Sequence, residues 1–239
     1  MSGILHKFFA LRQPEKGYRY NIDSLLLARF VRIRPQDTLC DLGAGVGVLG
    51  LVALAQGGGK KLISVEVQEE LASYIPENSR LLQLEARVET VVGDWKKVKK
   101  HLQGRSCDVV LSNPPYRKAG SGKSPPERSK AIAKHELKGA MPDLIAAARY
   151  LLKPNGRLYL MYPPSRLEEL VQELKSAKFK LQRLACIHPM ADRPATLCMV
   201  EAVRSPLREM KVDPPVIVYR DEEHYTPEIE AWVGPKRRG

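Results

Sequence analysis

Six consecutive residues, Leu111-Ser112-Asn113-Pro114-Pro115-Tyr116, gather groups able to hold a flat amine. Two adjacent prolines remove two backbone donors and fix two φ angles. A residue before proline is pushed to an extended conformation, so Asn113 is held out of any helix. The loop presents the Asn113 amide, the carbonyls around Pro114 and Pro115, and the Tyr116 ring. The amide oxygen and a neighbouring carbonyl are two acceptors for one exocyclic NH₂. The ring is a stacking face for a planar base. This set suits chemistry on a planar amine such as that of adenine. The plainer alternative is a proline turn after a strand, with a Tyr that only packs.

A second constellation is Asp41-x-Gly43-x-Gly45-x-Gly47. Gly45 to Gly50 formally match G-x-G-x-x-G, the dinucleotide fingerprint. The glycines let a ligand approach the backbone closely. An acid two residues before the first glycine opposes a pyrophosphate and favours a ligand with a cationic amino group. Glu66, nineteen residues after Gly47, stands where a carboxylate can hold a ribose diol with both oxygens. Asp94 follows a third apolar run and can accept from an adenine amino group. Three acids at three successive strand ends describe a site for a cationic nucleoside. S-adenosylmethionine fits that better than NAD. Each acid taken singly also reads as a helix cap or a solvated turn.

Such residues must be brought together by strands that end side by side. Thr38–Leu42, the glycine turn and Val48–Ala55 read as strand, turn, helix, the first unit of a doubly wound sheet. Further strands are expected at 62–67, 88–92, 107–111 and 157–162. A last pair is expected over about 181–188 and 195–203, and an edge strand at 216–219. Helices are expected at about 24–33 with Asp23 or Ser24 as cap, at 69–84 with a kink at Pro76, at 143–152 closed by Pro154-Asn155-Gly156, and at 167–177. Lys96–Lys100 reads as a basic helix. The expected fold is α/β and Rossmann-like: a doubly wound, mostly parallel seven-stranded sheet whose last strand is antiparallel. One domain is expected over 1–239, with residues 1–36 covering the site and 234–239 a basic tail. Arg117 to Lys134 is polar and basic and is expected to be a mobile loop.

Net charge is +12, from 39 Lys and Arg against 27 Asp and Glu. On a chain of 239 residues that balance favours a polyanionic partner, RNA or DNA. No basic amphipathic helix with a large aromatic face is evident, so no membrane partner is expected. The longest apolar stretch, Val48 to Ala55, is broken by Gly50 and too short to span a bilayer. Cys40, Cys107, Cys186 and Cys198 form no C-x-x-C pair, and no metal site is expected. Each lies in or beside an apolar run, as small buried thiols do, which suggests a reducing compartment. The N-terminus lacks an apolar secretory core, so the expected location is cytoplasmic.

On these motifs the sequence resembles the class I S-adenosylmethionine-dependent methyltransferases. Asn113-Pro114-Pro115-Tyr116 narrows the resemblance to those acting on planar nitrogen. The wider match is to the tRNA adenine-N6 methyltransferases that act on valine tRNA beside the anticodon. It is carried by Tyr20-Asn21-Ile22-Asp23-Ser24-Leu25-Leu26-Leu27, Asp41 to Gly47 and His135-Glu136. Leu151-Leu152-Lys153-Pro154-x-Gly156-Arg157-Leu158 and Pro214-Pro215-Val216-Ile217-Val218-Tyr219 extend it over nearly the whole chain. The resemblance implies S-adenosylmethionine as cofactor, held by Tyr20, Asp23, Asp41, Gly43, Ala44, Gly45, Gly47, Glu66, Val67, Gly93, Asp94, Trp95 and Asn113. It implies that Asn113 and the Pro114 carbonyl hold the target amine, that Pro115 stiffens the loop, and that Tyr116 stacks on a flipped base. Arg117, Lys118, Lys123, Arg128, Lys130 and His135 would meet RNA, tRNA first of all. For that basic loop a solvated surface is the alternative, and His135 also reads as structural. No strong general base is required, because the methylated amine is acidic and loses its proton afterwards. The protein supplies alignment and electrostatic positioning.

Other readings share parts of this pattern. Glutamine-N5 methyltransferases acting on proteins use the same loop. They carry a longer helical domain before the glycine motif, and here only about forty residues precede it. Guanine-N2 methylation of ribosomal RNA and adenine-N6 methylation of DNA remain open. An NAD-dependent oxidoreductase gives no reason for the Asn-Pro-Pro-Tyr loop. A nucleic-acid-binding module without catalysis gives no reason for an intact Asp41, Glu66 and Asn113.

Overall fold

Short runs of Val, Ile and Leu alternate with amphipathic stretches, and in the computed structural model these become strands and helices in turn. The structure describes residues 11–15, 22–114, 140–204 and 209–233. Strands β1 (Thr38–Leu42), β2 (Lys61–Glu66), β3 (Val88–Val92), β4 (Cys107–Ser112), β5 (Leu152–Tyr162), β6 (Lys180–His188) and β7 (Leu197–Val203) lie in the order β3-β2-β1-β4-β5-β7-β6. Only β7 is antiparallel to its neighbours, β5 and β6. The expected seven strands and the antiparallel last one are therefore present. Two-residue strands β8 (Lys211–Val212) and β9 (Val216–Ile217) add to β6, making nine.

The helices are α1 (Ile22–Phe30), α2 (Val48–Gly57), α3 (Glu69–Leu81), α4 (Ala140–Leu151), α5 (Leu167–Ser176) and α6 (Pro227–Val233). Both sheet faces are covered, which is why the central strands are apolar almost throughout. On one face Leu39, Leu62, Leu111 and Tyr159 meet Leu27 of α1, Leu51 and Leu54 of α2, and Trp232 of α6. On the other Leu42, Val65, Val110 and Leu160 meet Leu144 of α4 and Leu170 of α5. Arg183, buried in β6, bonds Glu201 and Asp213 at 2.8 Å each and donates to the Phe30 carbonyl at 2.5 Å. This ties the end of α1 to the far side of the sheet. The four cysteines are free thiols; Cys186 and Cys198 face each other across β6 and β7, Sγ to Sγ 3.7 Å.

Several expected boundaries move. α1 begins at Ile22, so Asp23 and Ser24 lie in its first turn rather than capping it. α3 runs as one span through Pro76, an exposed position where water can meet the carbonyl that proline leaves unpaired. The basic stretch after β3 is a 3₁₀ helix, Trp95–Lys100, capped by Asp94. Pro154-Asn155-Gly156 does not separate a helix from a strand. It is an excursion within β5, with Asn155 at φ 60°, and the pairing with β4 skips from Cys107↔Leu152 to Val109↔Arg157. The expected mobile loop at 117–134 and the tail at 234–239 lie outside the described residues.

Candidate active site

Parallel strands β3, β2, β1 and β4 are neighbours, so their carboxyl ends form one rim, about 14 Å across at the usual strand spacing. The residues at that rim are Asp94 and Trp95, Glu66 and Val67, Gly43 to Gly47, and Asn113, with Asp41 just inside the end of β1. The doubly wound topology thus brings together every described residue of the expected cofactor set that follows β1 to β4.

The glycine turn is built by its backbone. Gly43, Gly45 and Gly47 all have positive φ, 77°, 57° and 89°, which side-chain-bearing residues adopt only with strain. Gly43 and Ala44 donate to the Val65 carbonyl at 2.9 and 3.0 Å, fastening the turn to the end of β2. Glu66 grips it further: one carboxylate oxygen accepts from Gly45 N–H at 2.8 Å and the other from Gln68 N–H at 2.9 Å. Each carboxylate oxygen has a second lone pair. Asp41 is 1% exposed and offers no surface to the rim. Its Oδ2 accepts from Gly50 N–H at 2.9 Å, inside α2. A Cβ on Gly50 would stand 2.9 Å from Leu62 and 3.0 Å from that oxygen, so any larger residue must displace one of them. Burial pushes the Asp41 carboxyl up to about 7; the Gly50 N–H pulls it down and the Glu66 charge pushes it up. Its Oδ1 is buried without a hydrogen-bond partner among the described residues.

Asp94 has one oxygen occupied as a cap on Lys96 N–H, at 2.9 Å. The half-buried Trp95 brings its ring nitrogen within 3.9 Å of where a Gly43 side chain would start. Gly93 donates to the Glu66 carbonyl at 2.8 Å, and Val67 is 45% exposed, an apolar surface beside the acids. Ser112 donates to the Leu42 carbonyl at 2.8 Å, locking the exits of β4 and β1 together. Tyr20, Pro115, Tyr116, Arg117, Lys118, Lys123, Arg128, Lys130 and His135 lie outside the described residues; Asp23 lies in the first turn of α1.

Two contributors escaped the sequence reading. Ser24, 7% exposed, accepts a hydrogen bond from Asn113 Nδ2 at 3.0 Å and so sets the plane of the amide. Nothing local signals a partner 89 residues away. Asn78 of α3 is fully buried and grips the main chain of Arg12 twice, accepting from its N–H at 2.6 Å and donating to its carbonyl at 3.0 Å. It also donates to the Val46 carbonyl of the glycine turn at 2.9 Å. Leu71, Ile75, Asn78 and Ser79 are buried at helical spacing. A polar residue on that stripe was a visible signal.

Residues 19–179 match the family model described as methyltransferase small domain. The chain belongs to that family. A tRNA1(Val) (adenine(37)-N6)-methyltransferase of Tolumonas auensis is 24% identical over 227 residues, spanning 94% of this chain and 92% of the relative. Among solved structures, a predicted O-methyltransferase of Agrobacterium tumefaciens superposes with a TM-score of 0.68 at 21% identity, covering 88% of this chain and 94% of that one. A SAM-dependent O-methyltransferase of Thermotoga maritima gives 0.58 at 19%, covering 87% and 73%. Membership of a methyltransferase family bears out the resemblance drawn from the glycine and Asn-Pro-Pro-Tyr motifs, and the solved structures share the fold. Among the described residues no helix is long and apolar enough to cross a membrane.

Proposed function

We propose that this protein transfers the methyl group of S-adenosylmethionine to the exocyclic N6 amine of an adenine in RNA, with tRNA the first candidate. The observation that carries this reading is Asn113 at the exit of β4, anchored through its amide nitrogen to Ser24, on the same rim as the glycine turn and Glu66. The residues fit the cofactor. The glycine turn leaves backbone open to a close ligand, Trp95 and Val67 flank it, and the Glu66 carboxylate suits a cation. When bound, S-adenosylmethionine supplies an electrophilic methyl. Glu66 would hold the ribose through the lone pairs not used by Gly45 and Gln68. Asp41 would brace the turn through its bond to Gly50 N–H. Asn113 and the Pro114 carbonyl would accept from the amine and aim its lone pair at the methyl. The proton released afterwards goes to water. Alignment and fixed dipoles do the work. The tRNA choice is supported by the name of the Tolumonas auensis relative and by the net charge of +12.

The test is to incubate the protein with methyl-labelled cofactor and separate tRNA, ribosomal RNA, DNA and protein fractions. Label in N6-methyladenine of tRNA, lost with Asn113→Ala, is the expected result. Label in glutamine, in guanine N2 or in DNA overturns it.

A further inference from the structure

Away from the rim, a groove of about 620 Å³ runs between the 3₁₀ helix Trp95–Lys100 and α4. Five cations line it, Lys96, Lys99, Arg105, Arg149 and Arg204, against one carboxylate, Asp143. None of the five pairs with a carboxylate within 4.0 Å among the described residues. A random basic surface scatters its cations and dilutes them with acids. This concave one concentrates them.

The cations stand on fixed supports. Arg149 donates to the Ala177 carbonyl at 2.7 Å and Arg204 to the Leu152 carbonyl at 3.4 Å. Arg105 is held at φ 53° by its N–H on the Tyr150 carbonyl at 2.9 Å. Lys99 lies over the Tyr150 ring, 5.6 Å from its centre, and Tyr150 donates to the Leu102 carbonyl at 3.2 Å. Gly104 leaves the room: a Cβ there would stand 2.8 Å from the same ring. The position of the groove is also informative. Lys96 adjoins Trp95 and hence the glycine turn, whereas Arg105 precedes β4 and Arg204 follows β7, at the opposite end of the sheet. The cations therefore form a track leading from the rim down one flank. A groove of about 620 Å³ lined by five cations exceeds a single inorganic anion and suits successive phosphates of one strand.

We infer that this groove binds the phosphodiester backbone of the RNA on one side of the target nucleotide. The inference rests on RNA being the substrate. The test compares two double variants of equal charge. Lys99→Ala/Arg105→Ala removes two groove cations. Lys60→Ala/Arg80→Ala removes two exposed cations outside it. Filter binding of mixed tRNA across a salt series is the readout, with calorimetric titration of S-adenosylhomocysteine as the check on folding and the cofactor site. The groove variant is expected to lose about tenfold in RNA affinity near 0.1 M salt. Its log–log salt slope should flatten by roughly 1.4–1.8, two contacts' worth, with cofactor affinity unchanged. The control should stay near wild type. Equal behaviour of the two variants, or an unchanged groove variant, overturns the inference. Methylation separates this from the proposed function. A wild type that binds RNA through the groove but leaves adenine unmodified refutes the function and keeps the groove. A fully active groove variant with wild-type RNA affinity does the reverse.

Discussion

Removing one hydroxyl, Ser24→Ala, tests how the candidate site is aimed. Ser24 Oγ takes the Asn113 amide N–H at 3.0 Å in a place only 7% exposed to solvent. A neutral hydrogen bond of this kind contributes about 0.5–1.5 kcal/mol net. Spent wholly on holding the amide plane, that range corresponds to a rate loss of about 2- to 13-fold. Asn113→Ala removes the acceptor itself and should cost about 10²–10³, the usual cost of one preorganised polar contact. Asn113→Asp should fall between wild type and Ala, because a carboxylate keeps an acceptor and the Ser24 hydroxyl can turn to donate to it. Single-turnover methylation with saturating cofactor and RNA measures all three, and thermal melts by circular dichroism check that the fold survives. A Ser24→Ala rate equal to wild type, alongside a collapsed Asn113→Ala, would refute the positioning argument. A Ser24→Ala loss as deep as that of Asn113→Ala would refute the magnitude.

Glu66→Ala should weaken S-adenosylhomocysteine binding by about 1.5–3 kcal/mol in calorimetry, and it should also lower the melting temperature, since it strands the Gly45 and Gln68 N–H groups. For Asp41, the folded carboxyl is raised by burial to about 7 from 3.8. Between those values the folded state holds a proton that the unfolded chain has released. Stability should therefore fall as pH rises from about 4 to about 7 and level off above, by at most about 4 kcal/mol. Asp41→Asn should flatten that stretch of a melting-temperature-against-pH curve, and an identical curve would remove Asp41 as its cause. Gly50→Ala forces a methyl against Leu62 and the Asp41 carboxylate and should cost about 1–3 kcal/mol in urea denaturation.

The parts of this molecule legible in the sequence are those written in local patterns. Glycines at every second position from Gly43 to Gly47, between an apolar run and a helical one, announce strand, turn and helix, and all three take positive φ. Asn113 before two prolines marked a strand exit, and β4 ends at Ser112. Where two meanings share one composition, the reading slipped. Pro154-Asn155-Gly156 has turn chemistry and does bend the chain, yet β5 resumes on the same line because Leu158 to Tyr162 still pair with β7. α6 went unread because seven residues carry too little periodicity, although Ile229 and Trp232 are buried. Contacts between distant segments, such as Ser24 with Asn113 and Arg183 with Phe30, leave no local trace.

The grip of Asn78 on residue 12 has a consequence for how this enzyme family can diverge. The amide touches only the N–H and carbonyl of Arg12 and the carbonyl of Val46. No side chain of the leading segment takes part in those bonds. Any amino acid but proline offers the same pair of groups at position 12. Those bonds are therefore blind to the residue at position 12, although Leu11 beside it packs into the core at 4% exposure and the Arg12 side chain pairs with Glu77 at 3.3 Å. Residue 12 can therefore change while its main chain stays held beside the glycine turn. The constraint falls instead on Asn78 in α3 and on the buried Leu11 that packs next to its partner.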